Sequence, residues 1–230
     1  MGDRPKGRSP FSFPTRGDCG RASRPHPERD KHSGDCRVNR QSPHALRRRE
    51  AIILEKIVSP VEIATDRFVL RPVRKSDAGL FALYAGDKRV AEATQGIPHP
   101  RPPGAAEAFC ARAMASGTEE DIWVMDGTRS ALPEVLGVIS LKKMDRGQSE
   151  VAFWVAPAFW NHGIASEAVQ ALVAANPQKN CTMFAEAFQD NPGVARVLTN
   201  AGFQYLGDAE SFSVARGANV PTWTYIRKLD

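Results

Sequence analysis

The amino-acid sequence predicts a mixed α/β domain around one twisted sheet, with elements in the order β-α-α-β-β-β-α-β-α-β-β. Three observations predict it. Short runs rich in Val, Ile, Phe, Trp and Thr, such as DIWVMD and SEVAFWVA, have strand length and strand composition. Between such runs lie segments with apolar residues at helical spacing, AAEAFCARAMA among them. Finally, the strand VAFWVA runs through a glycine-containing turn straight into the alanine-rich IASEAVQALVAA, which joins a strand to a helix in one step.

The elements follow in order. RFVLRPV, residues 67–73, alternates as a strand, and Ser76 with Asp77 then offers caps for a short helix through LFALYAG. DKRVAEAT adds a helical turn or two. IPHPRPPG is too rich in proline for either state and reads as a loop ahead of the AAEAFCARAMA helix. DIWVMD, EVLGVISLKKM and SEVAFWVA, separated by turn residues, predict an antiparallel meander. The next helix stops at Asn176-Pro177; CTMFAEAF is a strand, NPGVARVLTNAG a helix ending at Gly202, and FQYLG and TWTYIRKL are the closing strands. No internal repeat is visible.

Charge divides the chain in two. Residues 1–50 hold 13 Lys and Arg against 6 Asp and Glu, leaving 18 against 20 for the rest, so the formal charge of +5 belongs to the first segment. That segment is rich in Arg, Pro, Ser and Gly without periodicity, and residues 1–57 are expected to be a disordered basic tail, or a leader from a start site placed too far upstream. An arm for RNA or another polyanion is the sharper reading, disfavoured because Phe11 and Phe13 alone offer stacking surfaces. The globular domain is expected over residues 58–230. No apolar run reaches the roughly 18–20 residues of a membrane helix, and a cytoplasmic protein, monomer or homodimer, is expected. Cys19, Cys36, Cys110 and Cys181 lack zinc spacing, so no metal is expected, and Cys110 and Cys181 read as small buried hydrophobes.

The turn carries the chemistry. A helix start leaves backbone N–H groups without intrahelical acceptors, and the helix dipole adds partial positive charge, so the segment Asn161, His162, Gly163, Ile164, Ala165 and Ser166 is a candidate anion site. Gly163 removes a Cβ where a phosphate approaches, His162 offers a further donor, and Ala165 and Ala168 allow close packing of the helix on the sheet. The stretch lacks both the G-K-S/T ending of an ATP-binding loop and G-x-G-x-x-G, which disfavours nucleotide hydrolysis and dinucleotide redox chemistry.

WNHGIASEA, residues 160–168, resembles the acyl-CoA pyrophosphate loop of the GNAT N-acetyltransferase superfamily, written R/Q-x-x-G-x-G/A. It is especially similar to the W-G-K/R-G-Y-A-T/S-E-A form of the ribosomal-protein-acetyltransferase-like branch. NPGVARVLTNAGF, residues 191–203, resembles that branch's N-x-x-S-x-x-V-L-x-x-x-G-F segment, and TDRFVLRPVRKSDAGLFALYA, residues 65–85, is similar to its opening strand and helix. Three elements in the right order are more specific than any one.

The resemblance implies a GNAT fold: a largely antiparallel sheet splayed at its centre, with helices on both faces. It also implies an enzyme that transfers acetyl from acetyl-CoA to a primary amine by direct attack in a ternary complex. Phe153 and Val155 would offer a strand edge to the pantetheine arm where the strand splays at a bulge, residues 161–166 would hold the diphosphate, and Pro157 would end pairing where the sheet opens. Asn191 would bond the pantetheine or cap its helix. Glu150, where the family's strand carries an acid, is the expected general base, acting directly or through water. The branch's proton-donating serine is Val194 here, and the tyrosine of other branches falls at Leu198; Tyr205 is a substitute to consider. The acceptor, drawn from segments around Glu92–His99 and Ser211–Trp223, stays open among a peptide N-terminus, a polyamine and a small amino compound. The alternative function is a non-catalytic acyl-CoA-binding module.

Overall fold

The computed structural model describes residues 60–229. The expectations for residues 1–57, with Cys19 and Cys36, lie outside these described residues.

Eight strands form one sheet: β1 (Ile63–Ala64), β2 (Val69–Pro72), β3 (Glu120–Asp126), β4 (Gly137–Lys143), β5 (Gln148–Val155), β6 (Thr182–Phe188), β7 (Gln204–Ser213) and β8 (Ala218–Lys228). Their spatial order is β1-β2-β3-β4-β5-β6-β8-β7. Every neighbouring pair is antiparallel except β5 and β6, which run parallel. A parallel pair needs a long crossover, and the helix α4 (Ile164–Ala175) supplies it. The other helices are α1 (Ala78–Tyr84), α2 (Lys88–Glu92), α3 (Ala105–Ala113) and α5 (Pro192–Asn200).

Period-two alternation sorts the core into two layers. On β3, Trp123 and Met125 face α4 and α5 with Leu70, Ile139, Leu141 and Leu172, while Ile122 and Val124 face α1 and α3 with Phe81, Ala106 and Cys110. The central strands are therefore apolar on both sides, which is why DIWVMD and EVLGVISLKKM read as near-continuous apolar runs. Helix α5 ends in the Schellman arrangement that Gly202 permits at φ 80°: Gly202 N–H donates to Thr199 and Phe203 N–H to Leu198.

Three expectations are corrected. Asp77 does not cap α1; its carboxylate accepts two bonds from buried Arg71 (both 2.9 Å) and one from the Arg74 amide (2.7 Å). The closing hairpin is longer than FQYLG and TWTYIRKL suggested, because the polar stretch DAESFS continues β7. Cys110 is buried as expected, but Cys181 is exposed, since it precedes β6 rather than lying within it.

Candidate functional site

The sheet parts at its centre. β5 and β6 share register only from Gln148↔Thr182 to Val151↔Ala185, after which residues 152–155 pair with β4 alone and residues 186–188 with β8 alone. The β4–β5 register runs unbroken from Lys143↔Ser149 to Gly137↔Val155, so no bulge causes the split. Pro157 does not cause it either: it opens a 3-10 turn at Pro157–Phe159, beyond the end of β5 and downstream of the parting. The divergence of two parallel strands tied only at their starts is sufficient.

The gap exposes backbone. Ala156 N–H donates to the Leu136 carbonyl, on the β4 side. Because amide direction alternates along a strand, the groups of Phe153 and Val155 point the other way, toward the gap. One of them is partly used, since the Trp160 indole N–H donates to the Val155 carbonyl at 2.7 Å. Among the described residues, nothing bonds the Phe153 N–H or carbonyl.

A cavity of about 480 Å³ occupies the gap and extends under α1 and α3. Glu150, Phe153, Glu186 and Val194 line it, joined by Gln95 and Arg101 from the segment between α2 and α3. The wall over the cavity is stapled to the β7–β8 hairpin: Val214 N–H donates to the Gln95 carbonyl, and Arg216 donates to the Glu92 carbonyl (2.7 and 2.9 Å) while pairing with Asp190 at 2.5 Å.

Two carboxylates face this space. Glu186 accepts from Gln95 Nε2 (2.8 Å) and from the Ser211 hydroxyl. Glu150 sits opposite Lys142 on β4 and, among the described residues, accepts no side-chain hydrogen bond and joins no ion pair. Burial pushes its carboxyl above the usual range, and the charge of Glu186 pushes it further, against partial relief from Lys142. Glu150 is thus an uncommitted base held closer to neutrality than an ordinary glutamate.

The turn after β5 forms the second part. Asn161 and Gly163 adopt left-handed conformations, φ 61° and 77°, which turn the chain into α4. Glu167 N–H makes the first helical bond, to Gly163, so the amides of Ile164, Ala165 and Ser166 precede it without intrahelical acceptors. His162 spends its Nδ1 proton on the Trp160 carbonyl (2.8 Å), so a neutral His162 has no second ring proton to donate. Arg67 fixes the turn: its guanidinium donates to the His162 carbonyl (2.8 Å) and to Glu167 (2.7 Å), and its amide to the same carboxylate (2.9 Å). Burial raises the Glu167 carboxyl, but the bonds from the Arg67 amide and guanidinium and the Arg67 charge outweigh it and hold the group below its ordinary range.

The predicted residues thus fall into two groups. Glu150 and Phe153 line the cavity, whose gap Val155 borders by its backbone; Asn161 to Gly163 form the turn after β5 and Ile164 to Ser166 the first turn of α4. Asn191 precedes α5 without capping it by its side chain, its amide donating to the Phe188 carbonyl (2.9 Å). Tyr205 is exposed on β7, donates to Asp208 at 3.0 Å and does not line the cavity, which excludes it as a proton donor there. Val194 lines the cavity as an apolar side chain, and Leu198 is fully buried. Glu186, Gln95 and Arg67 were missed as individual residues: each acquires its role from segments far apart in sequence, although Arg67 lay inside TDRFVLRP and Gln95 inside the Glu92–His99 segment already singled out.

A family model described as an acetyltransferase (GNAT) domain matches residues 67–204. No curated protein matches the chain in sequence. Among solved structures, the chain is similar to RimJ of Mycobacterium smegmatis in complex with CoA-disulfide, at 19% identity and TM-score 0.63, over 74% of this chain and 88% of that one. The microcin C7 self-immunity acetyltransferase MccE, solved with acetyl-CoA and AMP, gives 14% and 0.62 over 71% and 93%. The Vibrio cholerae spermidine N-acetyltransferase, solved with CoA and spermine, gives 12% and 0.60 over 70% and 95%. At these identities the likeness is one of fold.

Proposed function

The chain belongs to the GNAT acetyltransferase family, and from that premise we propose that residues 58–230 are an N-acetyltransferase domain that moves the acetyl group of acetyl-CoA to a primary amine by direct attack in a ternary complex. The observation that carries this reading is the parted β5–β6 pair, whose gap opens on Glu150 at one end of a cavity and is followed by a helix start with free amides.

The residues fit the cosubstrate. The edge of Phe153, with the N–H of Val155, suits a strand-like amide arm, and the amides of residues 164–166, beside a glycine with no Cβ, suit paired phosphates. When bound, acetyl-CoA supplies an activated thioester carbonyl. Glu150 takes a proton from the acceptor ammonium, directly or through water, and its raised affinity for protons matches it to that task. The cavity walls exclude water and align the amine, which replaces a bimolecular encounter by a positioned one. Positions 194 and 198 offer no proton, and a free thiol of pKa about 8.5 is a tolerable leaving group without one.

Those two apolar positions favour the second reading, an acyl-CoA-binding module without turnover. Incubation with radiolabelled acetyl-CoA and a panel of amines separates the two: label on any amine supports the transferase, and binding without transfer supports the module. Calorimetry that detects no CoA uptake at millimolar concentration overturns both. Removing residues 1–57 is expected to leave CoA affinity unchanged.

A further inference from the structure

The cavity holds charges of both signs, and only the negative ones are explained by an amine. On its sheet side stand Glu120, Glu150 and Glu186; on its helix side Arg101 projects from the segment ahead of α3. Arg101 donates through Nη1 to the Phe81 carbonyl (2.8 Å), but its Nε is buried and has no partner among the described residues. Burial lowers its pKa, and the attraction of Cys110 and Glu107 does not offset that. A desolvated guanidinium without a paired carboxylate is unfavourable unless a ligand brings the counter-charge, and its planar fork suits a carboxylate. Arg112, whose guanidinium lies 5.5 Å from the Phe109 ring centroid, adds positive potential on the same side.

Resting on the acetyltransferase reading, we propose that the acceptor is an amine that also carries a carboxylate, with the ammonium directed to Glu150 and Glu186 and the carboxylate seated on Arg101. An all-cationic polyamine would leave Arg101 unpaired and add repulsion from two guanidiniums. A neutral amine would leave the Arg101 charge without a counter-charge. The remaining lining, which includes Phe109, Ile97 and Trp154, favours an apolar body between the two charged ends.

The test uses the full chain with acetyl-CoA, follows thiol release, and compares 4-(aminomethyl)benzoate and 6-aminohexanoate with their carboxamides, with spermidine as the polycation. Rates are expressed per unprotonated amine, so that the lower basicity of the amino amide does not mislead. At least one carboxylate is expected to exceed its carboxamide tenfold or more in kcat/KM, and spermidine to be poorer than either. Arg101→Gln should lower the carboxylate's kcat/KM at least tenfold and the carboxamide's less than threefold, and Arg101→Lys should restore part of the preference. A preference for the carboxamides or spermidine, or equal losses for all substrates on Arg101→Gln, overturns the proposal. If CoA binds but no amine is turned over, calorimetry of the same compounds on the CoA-loaded protein makes the same comparison, and a carboxylate that binds no tighter than its carboxamide overturns it. Absence of CoA uptake instead overturns the acetyltransferase reading on which it rests.

Discussion

Glu150 and Glu186 lie on neighbouring strands that have just parted, and their mutual repulsion is the clearest electrostatic feature of the cavity. A base acts only when unprotonated, so activity should rise with pH through a value above the ordinary glutamate range. Glu150→Gln should reduce kcat by about 10²–10⁴. Glu186→Gln removes one source of the upward push, so the pKa of Glu150 falls and the acidic limb moves to lower pH; a limb that stays in place in the kcat–pH profile would exclude Glu150 as the titrating base. Glu150 was legible because its strand resembles a known one. Glu186 was not: a lone glutamate in TMFAEAF reads as the solvent side of a half-buried strand, and its contacts with Gln95 and Ser211 come from segments about 91 and 25 residues away. Arg101 lay in a proline-rich loop, where spacing carries no information about burial.

At the scale of elements, the turn and the helix behind it are the legible unit, because a strand, a left-handed glycine and an alanine-rich helix leave a local signature. Gly163→Ala places a Cβ 3.4 Å from Arg67 Nη2 and forces a left-handed alanine, which costs about 1–2 kcal/mol. CoA affinity should fall by about tenfold as the turn relaxes, an amount of free energy similar to that strain; unchanged affinity in calorimetry would remove the turn from the binding site. The link between β2 and α1 was misread in kind rather than place. Ser76 and Asp77 looked like caps, but Asp77 is committed to Arg71, which also bonds Asp126 at 2.5 Å. These groups are buried, so Asp77→Ala strands a guanidinium without its bidentate partner and should destabilise the fold by about 3–5 kcal/mol, readable as a lower midpoint in urea. Strand ends were least legible where residues are polar on both faces, as in DAESFS, since alternation then disappears and only pairing with β8 defines the strand.

For the whole molecule the decisive property is that an eight-stranded sheet leaves two adjacent interior strands, the fifth and sixth in its order, incompletely paired. The succession of elements and the β3–β4–β5 meander follow from the sequence pattern, but the four-residue limit of the β5–β6 register does not, because each strand taken alone reads as continuous. The parting turns the interior of the sheet into an edge, and an edge with free amides recruits another strand-like chain. Alternation makes this testable residue by residue. The amides of Ala152 and Trp154 point toward β4, and those of Phe153 and Val155 toward the gap, by the same count that starts from the Ala156–Leu136 bond. Amide hydrogen exchange in the free protein should therefore be fast at 153 and 155 and slow at 152 and 154. Addition of CoA should slow exchange at 153 and 155 by at least about tenfold, the protection expected for roughly 1.4 kcal/mol of added bonding, and leave 152 and 154 where they were. If calorimetry registers CoA bound while 153 and 155 exchange as before, the arm does not lie along β5, and the parted sheet serves some purpose other than holding it.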